Sequence, residues 1–195
     1  MKMPYLALLL IALNALPASG QEPWRAAVQK VNFRNSTLVP IICQWDNPKY
    51  TQARWHKKYG SDFVWMNHYC SSKVKIPICL RYPQKERNEC LTSQLHGIEY
   101  SITHPKKPGF ALLPYLHTEH GDLLQMLNRH IDAIHDFQIA LKINRKYIPA
   151  YIKLADSYIA LKDYDSAETI ARQGLTQKNS KALKRRLKKI EVARK

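Results

Sequence analysis

Slid against itself by 34 residues, the C-terminal half of this sequence repeats. Gly121 falls on Ala155, Leu124 on Tyr158, Ala133 on Ala167, Ala140 on Gly174 and Leu141 on Leu175. A period of that length holds two helices and their turns, and each such unit buries its apolar face only against neighbours. Small residues at fixed points let two antiparallel helices approach, while Leu, Tyr and Phe fill the spaces between them. The units run 114–147 and 148–181, and the register predicts hairpins over roughly 114–126 with 130–143 and 148–161 with 164–176. His117 and His120 stand in the slots of Tyr151 and Leu154, so both are expected to fill space inside the first hairpin. Phe137, with Ala133 and Ala140, restores the apolar pattern in its second helix. Asp165 opens the last helix of the second hairpin, where a negative charge suits the helix dipole.

Two units leave apolar faces uncovered at both ends, and the flanking sequence offers a helix for each. In the basic segment 182–195, with Lys181 before it, Leu183, Leu187 and Ile190 form one stripe, the pattern of a capping helix. On the other side, 86–102 spaces Leu91, Leu95, Ile98 and Ile102 for a helix packed on the first repeat. Between that helix and the repeats, 105–113 carries Pro105, Pro108 and Gly109, residues that break helices and mark a linker. The preceding region, 21–104, holds every cysteine and an aromatic cluster, Phe63-Val-Trp-Met-Asn-His-Tyr-Cys70. The fold class expected is all-α.

Tyr151, Leu154, Ala155, Tyr158, Tyr164 and Ala167 resemble the tetratricopeptide repeat (TPR) consensus. That resemblance implies a binding module rather than an enzyme, with the first helix of each hairpin lining a concave face. By register the face comprises Tyr115, Thr118, Asp122 and Gln125, then Ile152, Asp156 and Ile159. The Lys/Asn carboxylate clamp of chaperone-binding TPRs is missing. With Asp122 and Asp156 at one repeat position, the groove is expected to be mildly acidic and to suit a basic or neutral peptide.

Residues 1–20 read as a cleavable signal peptide. Lys2 supplies the positive end, Tyr5 to Leu16 an apolar core, and Ala18-Ser19-Gly20 the small residues a signal peptidase reads. The mature chain would start at Gln21, with no further transmembrane stretch. Cys43, Cys70, Cys79 and Cys90 are an even set in an exported chain, which implies disulfides; four cysteines permit three pairings. Asn35-Ser36-Thr37 is formally a glycosylation sequon.

The aromatic cluster, with Pro40-Ile-Ile-Cys43 before it and Leu112-Leu-Pro114 after it, resembles the N-terminal part of exported proteobacterial TPR proteins that carry a His-His-Tyr-Cys-Trp-Gly-like stretch. Asn67 replaces the first His of that stretch, and Ser71-Ser72 follow the Cys. The resemblance implies that Cys43 pairs with Cys70, leaving Cys79 to join Cys90 across the Pro83 turn. It also implies a periplasmic location.

Other chemistries have less support. His68 beside Cys70 offers imidazole and thiolate to a metal or redox centre, but no second ligand cluster has useful spacing. No nucleophile motif surrounds Ser71 or Ser72, so no catalytic residue, cofactor or metal is assigned. The formal charge of +16, from 31 Lys and Arg against 15 Asp and Glu, attracts anionic partners. Lys184, Arg185, Arg186, Lys188 and Lys189 are the anion-binding candidates, suited to an envelope polymer or lipid headgroups better than to nucleic acid, because the tail lacks aromatic residues for base stacking. Two functions are therefore expected in order: a protein-binding adaptor or assembly factor, then an anionic-polymer or membrane-surface binder.

Overall fold

The computed structural model describes residues 23–34, 36–106 and 109–195, and every regular element among them is helical. The signal segment and Gln21 lie outside the described residues, as does Asn35 of the sequon.

The chain opens with α1 (Pro23–Gln29), which buries Trp24 and Val28 one turn apart. A short 3-10 turn at Ile41–Cys43 follows, then α2 (Gln52–Tyr59). Gly60 ends α2 at φ 85°, a backbone shape that costs glycine little, and redirects the chain into a second 3-10 turn at Ser61–Trp65. That turn runs directly into α3 (Met66–Cys79), which pairs with α4 (Gln84–Thr103). Of the α4 stripe expected from sequence, Leu91, Leu95 and Ile98 are buried and Ile102 is half-buried.

Two disulfides staple this region, Cys43–Cys70 and Cys79–Cys90, each with Cα atoms 5.4 Å apart. The first ties the irregular segment before α2 to the middle of α3. The second closes the α3–α4 turn. This is the pairing that the resemblance implied, among the three that the sequence allowed.

The hairpins follow as α5 (Leu113–Met126) with α6 (His130–Ile143), and α7 (Ile148–Ala160) with α8 (Tyr164–Gln177); α9 (Lys181–Ala193) closes the array. Their bounds lie within a residue of the sequence reading. Both hairpin turns are built alike. Asn128 and Lys162, 34 positions apart, adopt φ 59° and 60°. The residue after each donates its N–H to a carbonyl five back, Arg129 to Leu124 and Asp163 to Tyr158, both at 2.9 Å. This is the hydrogen-bond pattern of a Schellman cap. The small residues at the crossings are used as expected: a Cβ on Gly121 would stand 2.5 Å from the Phe137 ring, and one on Gly174 would stand 2.9 Å from Tyr151 Cβ.

One buried core runs from Trp24 through Cys70, Leu91 and Ile98 to Leu116, Phe137 and Leu154. Phe110 and Leu112, which precede the first hairpin, are themselves members of this core. The end of the stretch expected as a linker, 109–113, is thus docked onto the core through these two side chains. At the far end, Leu183 of α9 packs with Tyr151, Ala155 and Ala171, and Ile190 packs with Ile159 and Ala167.

Candidate functional site

The residues expected on a concave face divide into those the fold consumes and those it leaves accessible. Thr118 is 4% exposed and donates its hydroxyl back to the Pro114 carbonyl at 2.8 Å, a one-turn bond within the helix. Ile159 is 8% exposed, covered by Ile190 of the capping helix. Neither is available to a ligand, which corrects the register-based assignment. Gln125 donates to the Lys153 carbonyl at 2.8 Å and to Ser157 Oγ at 2.7 Å, bridging α5 to α7. Ile152 is half-buried beside the second core cluster.

The expected acidity of the face is also corrected. Asp122 is ion-paired with Lys153 of the next hairpin. Asp156 receives both Nε and Nη2 of Arg186, at 3.0 and 2.7 Å, in a two-pronged carboxylate–guanidinium pair. That bond raises the Arg186 pKa further, ahead of the opposing effect of burial. Glu119, one turn before Asp122, is held by Lys73 Nζ at 2.6 Å. All three carboxylates are answered by cations of the same chain. Sequence register located the two aspartates, but their partners come from neighbouring units, which periodicity alone does not pair.

Beneath Tyr115 lies the network that positions it. Tyr69 of α3 donates its hydroxyl to Glu119 Oε2 at 3.0 Å and is hydrogen-bonded to the Tyr115 hydroxyl, the rings meeting edge to face at 5.4 Å. Burial, then the nearby Glu119 charge, pushes both phenols far up, so they stay protonated and remain donors. Tyr147, before α7, is pushed up to about 12 by the same two causes.

Tyr115 and Tyr147 form one side of a recess of about 500 Å³. Tyr115, Tyr147 and Asn144 come from the first repeat, Trp55, Lys58 and Tyr59 from α2, and Ile41 and Ile42 from the turn that Cys43 anchors. Lys58 is the single charged side chain of the lining among the described residues, its ammonium 5.7 Å from the Trp55 ring centre and 5.1 Å from that of Tyr59. The Trp55 indole N–H is buried with no hydrogen-bond acceptor among the described residues. Ile41, in the lining, remains 49% exposed. Of this set the sequence reading assigned only Tyr115 to a binding face. Trp55, Lys58 and Tyr59 carried no comparable signal, because α2 lies outside the repeat and has no register to read.

A second cluster lies between α5 and α6. His117 and His120 each donate Nδ1–H to the buried Asp136, at 2.8 and 2.6 Å. They occupy packing slots as expected, but as hydrogen-bonded groups rather than as fillers. Asp136 falls in register on Ile170, so the first repeat replaces a Tyr–Leu–Ile trio of the second by His–His–Asp. Burial alone would raise the Asp136 carboxyl; the two imidazole hydrogen bonds, helped by their charge, outweigh it and hold the carboxyl below its ordinary value.

His68 rests against Tyr100, ring centres 4.0 Å apart, while the Cys70 sulfur is bonded to Cys43. The neighbouring imidazole and sulfur therefore form no joint donor set. In the basic helix, Lys184, Arg185, Lys188 and Lys189 are exposed, whereas Arg186 is committed to Asp156.

The fold and site define a disulfide-stapled array of helical hairpins with an aromatic recess where the stapled region meets the first repeat. No family model matches the chain, and no curated protein matches it. No helix among the described residues is long and apolar enough to cross a membrane.

Proposed function

We propose that this chain is an exported, periplasmic adaptor or assembly factor of TPR type, which binds a protein partner and catalyses no reaction. The 34-residue register, with its matched left-handed turn residues Asn128 and Lys162, supports the repeat assignment. Two disulfides fit an oxidising compartment. The observation that carries the binding role is the recess of Trp55, Tyr59, Tyr115 and Tyr147, a concave apolar site held rigid from below by the Tyr69–Glu119–Lys73 network. Concave, mostly apolar sites with a few placed polar groups are where ligands bind.

The test is site-specific photo-crosslinking in the native host, with the photoreactive residue at Ile41 and, as control, at Lys142, which lines a separate depression with Gln138 and Tyr151. A discrete adduct at position 41, absent at 142 and abolished by Tyr147→Asp, is the expected result. No adduct at 41, or equal adducts at both positions, would sink the reading.

A second reading is favoured by the four exposed cations of α9. They present a positive face opposite the buried Leu183 and Ile190, suited to an anionic polymer or lipid surface.

A further inference from the structure

Resting on the adaptor reading, we infer that the recess takes an extended peptide segment that combines an apolar side chain with Asp or Glu, the opposite charge preference to the one the Asp122 and Asp156 register suggests.

Three observations point the same way. First, among the described residues the lining contains one charged side chain, the cation Lys58, and no carboxylate. The acidic groups nearest on the concave face, Glu119, Asp122 and Asp156, are each neutralised by Lys73, Lys153 and Arg186. A basic ligand would thus meet an unanswered ammonium and no available anion, while an acidic one finds its complement. The chain's formal charge of +16 adds to that preference at longer range.

Second, the walls are aromatic and aliphatic. Trp55 and Tyr59 stack at 5.9 Å between ring centres, with Tyr115 and Tyr147 facing from the repeat. Ile41, half exposed, extends this apolar surface outward. A volume of about 500 Å³ admits one or two side chains and the backbone that carries them, not a folded domain.

Third, the Trp55 indole N–H lacks an acceptor among the described residues although it is buried. Such a donor gains most from a ligand that brings carbonyl groups, and a peptide backbone brings one per residue. A small shift of the ring on its neighbours is sufficient to meet one. Lys58, moving off the two rings it now covers, can then face the carboxylate.

The experiment is selection of a random peptide library displayed on phage against the oxidised full-length mature chain, followed by affinity measurement on synthetic peptides from the enriched pool. The expected pool carries an aromatic or branched apolar residue within a few positions of Asp or Glu. Lys58→Glu is expected to weaken these peptides at least tenfold and Tyr147→Ala similarly, with circular dichroism unchanged for both. Selection on the Lys58→Glu chain is expected to turn the charge preference towards Lys and Arg. An empty selection, a pool of basic peptides, or acidic peptides that bind Lys58→Glu as well as the original overturns the inference. Photo-crosslinking at Ile41 that still yields a partner in that case leaves the adaptor reading standing, so the two failures are separable.

Discussion

Lys162 holds φ 60° in the turn between α7 and α8, a conformation in which its Cβ crowds the following carbonyl. The turn requires it: with the residue left-handed, the Asp163 N–H reaches the Tyr158 carbonyl and caps the helix. Glycine adopts that shape without the clash, so Lys162→Gly is expected to raise stability by roughly 0.5–1 kcal/mol, net of glycine's larger unfolded-state entropy. Asn128, the equivalent residue, is already a type that tolerates the region, and Asn128→Gly should change little. Chemical denaturation of the two variants checks the pair; equal gains would mean the strain is not where the backbone places it. Asp136 makes a different prediction. Its carboxyl is depressed in the folded chain, so its contribution to stability is present above the ordinary carboxylate range and is lost as pH falls through the folded value, below about pH 4. Asp136→Asn is expected to lower stability at pH 7 by about 1–3 kcal/mol. It should also flatten the acid side of the stability–pH curve, measured by urea midpoints from pH 7 to pH 3. Neither residue was legible as special in the sequence. Lys162 breaks the usual preference for Gly or Asn, and Asp136 lies in a row of otherwise apolar register.

At the scale of elements, the His117–Asp136–His120 cluster replaces what α7 and α8 build from Tyr151, Ile170 and Leu154. A buried polar network with all its bonds made is worth little more than the apolar set it displaces, whereas a broken one leaves desolvated groups without partners. Replacing all three in register, by His117→Tyr, His120→Leu and Asp136→Ile, is therefore expected to be neutral or stabilising. His120→Leu alone should cost about 1–3 kcal/mol. Thermal melts of the single and triple variants separate additive from coupled behaviour. Helix bounds in this half could be read from sequence because packing of similar hairpins imposes one period on both. The segment 105–113 could not be read that way: Pro and Gly announced the break in helix correctly, but nothing local reveals that Phe110 and Leu112 are buried. The disulfides sharpen the contrast. Composition allowed three pairings and the resemblance implied one of them, which the fold makes by bringing the Cys43 turn against α3 and closing the α3–α4 turn at Cys79 and Cys90. Removing the shorter loop's bond by Cys79→Ala with Cys90→Ala is expected to cost roughly 3 kcal/mol.

Across the whole molecule, the positive charge is unevenly committed. Lys73, Lys153, Arg186 and Arg194 are spent on internal carboxylates, joining α3 to α5, α5 to α7, α7 to α9 and α8 to α9. The cations left on the surface of α9 therefore do no comparable structural work, and charge reversal there should be tolerated. This separates the second functional reading from the first. If α9 grips an anionic surface, retention on vesicles with a high content of anionic lipid falls steeply between 50 and 300 mM salt, since exposed charges are screened beyond about 10 Å at 0.1 M. Reversing Lys184, Arg185, Lys188 and Lys189 to Glu should abolish that retention and leave the thermal midpoint within a few degrees of the original. Arg186→Glu makes the necessary contrast. It removes the partner of Asp156 and places like charges together, so it should lower the midpoint whether or not lipid is bound. Lys58→Glu, in the recess, should leave vesicle retention within about twofold, because one charge in a separate site contributes little to a surface contact. Retention that survives the fourfold reversal, or that disappears with Lys58→Glu alone, would remove α9 as the anionic contact and leave the recess as the candidate surface for a partner.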